Sequence, residues 1–227
     1  MRSGEIYGIA GVGGNGQTEL ADILSGTRGP AAGRIELTLT SGKRVDLTAS
    51  GPRGRIDLGF ATVPADRHGH AMASSVSVVD NYAIAHIHTG RFGPWWRVDR
   101  ALMRKAASAA LWEADVQGVR SVFQRIGLLS GGNAQKLVVA REFSRTPSVI
   151  VAHSPSRGLD VRACAAIHRR LLAAREAGVA IVLISEDLDE ILSLSDRIGV
   201  MTAGRIVAEF DVPADRQAIG RAMVGHV

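Results

Sequence analysis

The chain has 227 residues, and 46% of them are hydrophobic, which is enough to bury the core of one domain or of one domain with a subdomain. Only 4% are aromatic and 26 are glycine, a composition typical of an Ala/Val/Leu-rich α/β protein with many tight turns. A single cysteine, Cys164, excludes an internal disulfide framework, and we interpret it as a small buried thiol in a reducing compartment. No apolar run reaches the ~18 residues of a transmembrane helix, and residues 1–5 lack the apolar segment of a signal peptide, so a membrane role requires a partner.

Neither the net charge nor the histidines indicate a specific ligand. The formal charge of +5 suits nucleic acid or anionic headgroups in principle. The arginines are dispersed, however, and no aromatic residues alternate with them as on an RNA- or DNA-reading surface, so we expect a solvated basic surface and no nucleic-acid partner. The histidines lack metal-ligand spacing and are expected at the surface or in loops; they include His68, His70, His86, His88 and His168.

Short apolar runs alternate with helical patterns in the first third of the chain, which predicts a mostly parallel sheet with crossover helices. The predicted elements are a strand at 6–10, a glycine-rich turn, a helix from Gln17 to about Leu24, two short antiparallel strands at 34–39 and 44–47, and a strand at 58–63.

The rest of the chain is first helical and then returns to alternating strands and helices. The helical pattern extends from about Val76 to Glu142, with Asp99 as the predicted cap of one helix and Trp95-Trp96 expected to pack locally. After it we predict strands at 149–152 and 180–184 around a helix at 162–176, and a closing hairpin formed by 198–201 and 205–208.

The segment GVGGNGQT, residues 11–18, has the context of a phosphate loop, whose pattern is GxxxxGK[ST]. Its glycines let backbone N–H groups converge on phosphate oxygens at a helix N-terminus, and Thr18 stands where a hydroxyl would hold Mg²⁺. Gln17 replaces the lysine, whose charge at about 4 Å from a phosphate would be worth about 4 kcal/mol. We therefore expect weak nucleotide binding without efficient hydrolysis, and a turn that binds nothing is the alternative. The candidate nucleotide-binding residues of this phosphate loop are Gly11, Gly14, Asn15, Gly16, Gln17 and Thr18.

The segment LSGGNAQK, residues 129–136, is more specific. Ser130 and two glycine amides at a predicted helix start would form an anion cradle. The segment resembles the signature loop of ABC ATPases, in the form found in sugar and nucleoside importers. The segment PSRGLD (155–160) resembles the family's D-loop segment, with Asp160 as its acidic residue. The segment DLDE (187–190) resembles the helix after the switch strand. The segment VPADRHG (63–69) resembles a segment of the second domains of tandem importers. The resemblance covers essentially the whole chain.

This resemblance implies a P-loop NTPase fold of the ABC type, an α/β fold with a mostly parallel sheet core, short antiparallel strands and a helical subdomain. We expect one domain over residues 1–227, with its core at about 1–75 and 148–227 and its helical subdomain at about 76–147. The family's strands that bear an adenine-stacking aromatic residue are absent before Gly4. The expectation is therefore an N-terminally truncated domain: the C-terminal half of a tandem protein, a separately encoded subunit or a shortened remnant.

Several positions depart from the pattern of an active family member. In such a member the strand before the D-loop segment ends in Asp-Glu, which supports Mg²⁺ and polarises the attacking water; here His153 and Ser154 stand there. Glu186 replaces the switch histidine, and residues 64–65 replace the lid glutamine. Together with Gln17 these changes predict a degenerate hydrolytic site with no confident catalytic residue, and we interpret His153 as a strand-end core histidine.

In the family, two cassettes pair head-to-tail, and the signature loop of one closes over the ATP of the other. The resemblance thus implies an energy-coupling domain of an importer for simple sugars or nucleosides that is not active alone and acts with ATP and Mg²⁺ at a composite site. The expected partners are a second cassette, a transmembrane permease that contacts residues of about 76–124, and indirectly an extracellular substrate-binding protein. The expected location is cytoplasmic, on the inner face of the membrane. The residues expected to act in trans are Ser130, Gly131, Gly132, Asn133 and Gln135.

Three alternatives stay open at this point. A competent homodimeric ATPase would have to hydrolyse ATP despite Gln17, His153, Ser154 and Glu186. A non-transport ABC protein of translation or DNA repair would be favoured by long charged insertions or coiled coils, which this chain lacks. A non-functional remnant of a tandem ATPase would be favoured by the missing N-terminal strands.

Overall fold

The computed structural model describes residues 1–225, which contain eight strands and eight helices besides short turns of 3₁₀ or π type. The strands are β1 (Ile6–Ala10), β2 (Glu36–Thr38), β3 (Arg44–Asp46), β4 (Phe60–Val63), β5 (Val149–His153), β6 (Ala180–Ser185), β7 (Arg197–Thr202) and β8 (Arg205–Asp211). The helices are α1 (Gln17–Ser25), α2 (Pro52–Asp57), α3 (Val78–Ala83), α4 (Arg100–Glu113), α5 (Gly131–Phe143), α6 (Val161–Glu176), α7 (Leu188–Leu194) and α8 (Arg216–Met223). The short turns cover Arg67–Ala71, Ile84–Thr89 and Ile126–Leu128.

Six strands form one sheet in the order β4-β5-β6-β1-β7-β8. Strand β1 lies parallel to both β6 and β7, and β5 lies parallel to β6, whereas β8 returns antiparallel to β7. Strands β2 and β3 pair antiparallel in a separate small sheet. The predicted mostly parallel sheet with short antiparallel strands is confirmed.

The strand predictions hold because the central strands are buried along their whole length. All six residues of β6 are buried, as are the first four of β5, so these strands are continuous apolar runs, as parallel strands covered on both faces are. The turn between β7 and β8 contains Ala203 and Gly204 with φ of 48° and 75°, the left-handed pair that a two-residue hairpin needs.

A helix that the sequence pattern did not predict, α2, precedes β4, which begins at Phe60 instead of Leu58. Its Arg55 is buried, and the guanidinium donates hydrogen bonds to the carbonyl oxygens of Leu24 at 2.9 Å and Leu47 at 3.1 Å. A buried cation needs such acceptors, and here they connect α2 to the end of α1 and to the segment after β3.

The described residues divide into two compact units. Unit 1 consists of residues 1–62, 148–154 and 175 onward, and its core includes Ile9, Val151 and Ile184 of three neighbouring strands. Unit 2 consists of residues 63–147 and 155–174. It thus includes residues 63–75 and 155–174, which the sequence analysis assigned to the core.

Unit 2 is built around the contact of α3, α4 and α5. Val78, Met103 and Leu137, one from each helix, belong to its buried apolar cluster. The predicted cap of α4 is confirmed, since the carboxylate of Asp99 accepts a hydrogen bond from the N–H of Leu102 at 2.9 Å. Within the described residues no helix is long and apolar enough to cross a membrane.

Trp95 and Trp96 pack locally, as expected, since they contact each other edge-to-face at 5.9 Å between ring centroids, and both are exposed. Two smaller expectations need correction. Cys164 is only half-buried, with its Sγ 3.7 Å from the carbonyl oxygen of Ser156. His86 is not a surface residue: it is 3% exposed, because the turn after α3 directs its ring into unit 2.

The environment of His86 favours the neutral imidazole. Its Nε2 lies 2.8 Å from Oγ of Ser144 and 3.2 Å from Nη1 of Arg91, whose guanidinium carries a positive charge. Burial, reinforced by the charges of Arg91, Arg145 and Arg141, lowers the pKa of His86 to about 4.

This lowered pKa predicts a pH-dependent stability. Between about pH 6.5 and pH 4, His86 is protonated in the unfolded chain but not in the folded chain. The free energy of unfolding therefore falls as the pH falls. We expect a contribution of up to about 3 kcal/mol, measured as the difference in urea unfolding between about pH 7 and pH 4.5. His86→Gln should reduce this difference, and the exposed His70→Gln should leave it unchanged. An equal pH dependence in wild type and His86→Gln would contradict the assignment.

Candidate functional site

Three strand ends bring the predicted nucleotide residues of unit 1 to one edge of the sheet. In the parallel register Ala10 lies opposite Ser185, and His153 lies opposite Ile184. Because parallel strands end at the same edge, the segments that follow them start side by side. These segments are the phosphate loop, Ser154 and Glu186.

The phosphate loop has the backbone shape that an anion cradle needs. Gly14 and Gly16 have φ of 88° and 103°, which favour glycine, and no side chain caps the N-terminus of α1 at Gly16. A methyl group on Gly11 would lie 2.5 Å from Nε2 of Gln17 and 2.6 Å from the carbonyl oxygen of Met201. The backbone of this loop therefore requires glycine at these positions. The first N–H groups of α1 have no side-chain cap and can bind an anion.

Gln17 does not extend from this loop as a lysine would. It is only 4% exposed, and its Nε2 donates a hydrogen bond to the carbonyl oxygen of Val12 at 2.9 Å. The amide therefore closes the loop on itself. It supplies neither a positive charge nor a fully free donor to a phosphate.

Asn15 connects the loop to the turn between β7 and β8. Its Oδ1 accepts from the N–H of Ala203 at 3.1 Å, and its carbonyl oxygen accepts from the N–H of Gly204 at 2.8 Å. Its side chain thus holds the loop in place. Thr18, in the first turn of α1, is exposed and leaves its hydroxyl accessible.

The end of β5 offers no carboxylate. His153 lies at the last position of the strand, as expected, but it is half-buried and not part of the core. Ser154 is buried with φ of 44°, and its N–H donates to the carbonyl oxygen of Ile184 at 2.7 Å. Neither position therefore holds a carboxylate that could support Mg²⁺ or polarise a water molecule.

Glu186 places a negative charge on the phosphate loop itself. The residue is exposed, and a methyl group on Gly13 would lie 2.8 Å from its Oε1 and 3.3 Å from its Cδ. A carboxylate against a set of phosphate-binding amides repels the ligand that those amides attract.

These residues fit Mg²⁺-ATP only in part. The backbone of residues 11–18 and the Thr18 hydroxyl suit phosphate oxygens, but the loop has no cation and the strand ends have no metal-supporting carboxylate pair. In the described part of the chain no group of three or more His, Cys, Asp or Glu side chains is arranged to hold a metal ion.

The signature loop of unit 2 opens α5 in the expected way. Ser130 precedes the helix in an extended conformation without capping it, and its Oγ instead accepts from Nδ2 of Asn133 at 2.9 Å. Oδ1 of Asn133 in turn accepts from the N–H of Gln117 at 2.7 Å. Ser130 is exposed, and no side chain caps the first amides of α5, a combination that leaves the helix start open to an anion.

A buried side chain of α5 connects this helix to the D-loop segment by a hydrogen bond. Gln135 is 2% exposed, and its Nε2 donates to the carbonyl oxygen of Pro155 at 3.0 Å. Asp160 is exposed and its Oδ1 accepts from the N–H of Ala163 at 2.9 Å, which caps the start of α6. Gln135 thus has a structural role beside the one expected for it.

Sequence reasoning missed two contacts around the signature loop. Nζ of Lys136 donates to the carbonyl oxygen of Asp115 at 2.8 Å and forms an ion pair with its carboxylate at 3.2 Å. Nη2 of Arg67 would lie 2.6 Å from a methyl group on Gly131. The resemblance of VPADRHG (63–69) concerned the segment as a whole, and no signal in the sequence singled out Arg67 or its neighbour.

Comparison with known proteins gives a family and a fold. The family model described as ABC transporter matches residues 1–157. A dimeric, post-hydrolysis structure of the ATP-binding cassette MJ0796 bound to ADP and Pi superposes with a TM-score of 0.76 at 19% identity, over 95% of this chain and 88% of that one. A nucleotide-free ATP-binding cassette from an ABC transporter gives 0.74 at 21% identity, over 96% and 87%. The fold is therefore that of the ABC-type P-loop ATPases.

Curated relatives match nearly the whole chain. The glucose import ATP-binding protein TsgD13 of Haloferax volcanii is 46% identical over 99% of this chain and 40% of its own length. The guanosine import ATP-binding protein NupO of Bacillus subtilis is 36% identical over 99% and 43%. The ribose import ATP-binding protein RbsA 2 of Rubrobacter xylanophilus is 37% identical over 92% and 39%. The chain spans about two fifths of the length of these relatives.

The position of Glu186 predicts that removing its charge strengthens nucleotide binding. At a separation of roughly 6 Å and a high surface dielectric, the repulsion between the Glu186 carboxylate and a bound phosphate is about 1 kcal/mol. Glu186→Gln should therefore bind a fluorescent ATP analogue about threefold to tenfold more tightly at low salt. Added salt should shrink the difference. Glu36→Gln, which removes an exposed carboxylate on β2, is the matched control and should not change the dissociation constant. Equal affinities for wild type and Glu186→Gln would show that this carboxylate does not act on the loop.

Proposed function

Because the chain belongs to the ABC transporter family, we propose that it is a cassette whose own hydrolytic site is degenerate and whose signature loop completes the ATP site of a second cassette. The family binds ATP with Mg²⁺. In this proposal the working ATP and metal are held by the second cassette, and this chain contributes Ser130 and the amides of Gly131 and Gly132.

The observation that carries the proposal is the electrostatic contrast between the two loops. At the phosphate loop the amide of Gln17 bonds to the loop itself, and the carboxylate of Glu186 lies on Gly13. At the signature loop Ser130 is exposed at the start of α5. Donors that are fixed before a charged ligand arrives stabilise its developing charge without reorganisation. The signature loop meets that condition, whereas the phosphate loop has lost its charges.

The residues assigned to each role follow from this contrast. The phosphate loop (Gly11, Gly14, Asn15, Gly16, Gln17 and Thr18) would bind nucleotide weakly, with Thr18 as the remaining metal-side hydroxyl. Asn133 and Gln135 would hold the signature loop in shape, and Asp160 would belong to the D-loop that faces the second cassette.

The transport assignment rests on the relatives, which are named for the import of glucose, guanosine and ribose. We propose an importer of simple sugars or nucleosides, in which a permease and an extracellular substrate-binding protein select the cargo. Since the chain spans only about two fifths of those relatives, the second cassette is either another part of one polypeptide or a separate subunit. The cassette would act at the cytoplasmic face of the membrane.

The helical region is the proposed permease contact. Within residues 76–124, Trp95, Trp96 and Phe123 are exposed, and Trp112 is 86% exposed. Exposed aromatic side chains of this size are a feature of protein interaction surfaces. In this proposal residues of about 76–147 form the helical subdomain, and residues of about 1–75 and 148–227 form the core that closing of the pair would move.

The test is an ATPase assay of the chain alone and mixed with a companion cassette that retains the loop lysine and both carboxylates. The chain alone should show negligible turnover, because its own loop lacks the groups that cleave ATP. The mixture should be active, and Ser130→Arg should lower its rate by about 100-fold or more, since a lost transition-state donor costs about that much. Ser108→Arg, the same change at an exposed serine of α4, should leave the rate unchanged.

Three outcomes would contradict the proposal. Vigorous turnover by the chain alone, abolished by Thr18→Ala, would favour a competent homodimer. If Ser130→Arg leaves the ATPase rate of the mixture unchanged, the signature loop is not part of the active site. A mixture that shows no turnover beyond that of the companion cassette alone would favour a remnant.

A further inference from the structure

The segment VPADRHG (63–69) has no role in the proposed function so far, yet its residues build one rigid turn. The carboxylate of Asp66 accepts from the N–H groups of His68 at 3.0 Å and Gly69 at 2.9 Å, which caps the turn Arg67–Ala71. A methyl group on Gly69 would lie 2.5 Å from Oδ2 of Asp66, so only glycine lets the cap close.

The other end of the turn is fastened as well. Arg141 of α5 is buried, and its Nη1 donates to the carbonyl oxygen of Ala71 at 2.7 Å. The Asp66 cap at one end and the Arg141 bond at the other fix the turn to the signature helix. Arg67 therefore extends from a backbone that is itself held in place.

The guanidinium of Arg67 contacts two functional loops of unit 2. Its Nη1 donates to the carbonyl oxygen of Arg157 in the D-loop segment at 3.2 Å, and its Nη2 lies against Gly131 of the signature loop. In the described residues Arg67 forms no ion pair with a carboxylate. The guanidinium thus bonds to the D-loop segment through one nitrogen and packs against Gly131 with the other, a geometry that a flexible ammonium group reproduces less well than a planar guanidinium.

Two buried polar atoms in the same region complement each other. Nε of Arg67, a donor, and Oε1 of Gln135, an acceptor, are buried and have no hydrogen-bond partner among the described residues. The other groups of these two side chains bond to the carbonyl oxygens of Arg157 and Pro155, two residues apart in the D-loop segment. Since buried polar groups without partners cost free energy, a small closing movement that pairs them would be favourable.

We propose that Arg67 is a positioning residue that holds the signature loop and the D-loop segment in one arrangement, and that Gln135 is its partner in the closed state. Arg67 touches no substrate in this role. It acts through Gly131 and Arg157, so that both loops reach the second cassette's ATP together. This inference rests on the proposed function, because only a signature loop that works in trans needs this positioning.

The first experiment measures the loops in the chain alone, so that it does not depend on the proposed function. Hydrogen exchange of the amides at 129–134 and 156–159 should be at least about fivefold faster in Arg67→Lys, because a lysine reproduces this geometry less well. Exchange in β5 and β6 should stay the same. Arg104→Lys, at an exposed arginine of α4, is the matched control and should change neither.

The second experiment measures ATP turnover in the mixture with the companion cassette. Arg67→Lys should lower kcat about tenfold to 100-fold and change KM for ATP by less than about threefold, because the loops are misplaced while the companion's own loop still binds ATP. Gln135→Leu should also lower kcat. The double variant should lose less kcat than the product of the two single fold-losses, because the two side chains act together.

The outcomes separate this inference from the proposed function. If Ser130→Arg abolishes activity but Arg67→Lys keeps wild-type exchange and kcat, the positioning role is wrong and the proposed function stands. If Arg67→Lys loosens both loops but neither it nor Ser130→Arg affects the mixture, the contact is real but serves no composite site, and both proposals fail. Arg67→Lys keeps the charge and length of the side chain, and its thermal unfolding midpoint should stay within a few degrees of wild type, so the result does not reflect misfolding.

Discussion

The parallel pairing of β1, β5 and β6 is the constraint on which the arrangement of unit 1 depends. It sets Ala10 opposite Ser185 and His153 opposite Ile184, so the segments that follow three separate strands start at one edge of the sheet. These strands are buried on both faces, so their N–H and C=O groups must be paired within the sheet, and a shift of register would leave buried groups at the strand ends without partners. The pairing thus places the three loops at one edge whichever side chains those loops carry.

The fold of unit 1 does not depend on charged side chains at its phosphate loop. Gln17 takes the buried place in the loop with a hydrogen bond to Val12, and Glu186 lies over Gly13 at the surface. Neither change disturbs the apolar strands beneath. Unit 2 has its own apolar cluster and its own polar contacts around Ser130 and Asn133, so the signature loop is built independently of the phosphate loop. The contacts around Ser130 therefore do not depend on which side chains occupy the phosphate loop.

Polar contacts inside unit 2 give roles to residues that patterns alone left without one. The VPADRHG segment was noticed for its resemblance, but the cap by Asp66, the closeness of Gly69 and the reach of Arg67 depend on distances between segments far apart in the chain. His86 was expected at the surface or in a loop because the histidines show no metal-ligand spacing. Its burial depends on how the turn after α3 packs against Phe92 and Ser144.

The sequence by itself determined the main strands and the cap at Asp99, because each depends on local residue order or on an apolar period. The roles of the phosphate loop, of the signature loop and of Gln17, His153, Ser154 and Glu186 stay predictions. It also indicated the family, since these segments occur in a characteristic order. Tertiary structure alone decided that Gln17 bonds to its own loop, that Glu186 covers Gly13, and that Arg67 reaches both Gly131 and Arg157. Those contacts join residues that are distant in sequence or depend on side-chain direction, and neither is encoded in the spacing of residues along the chain.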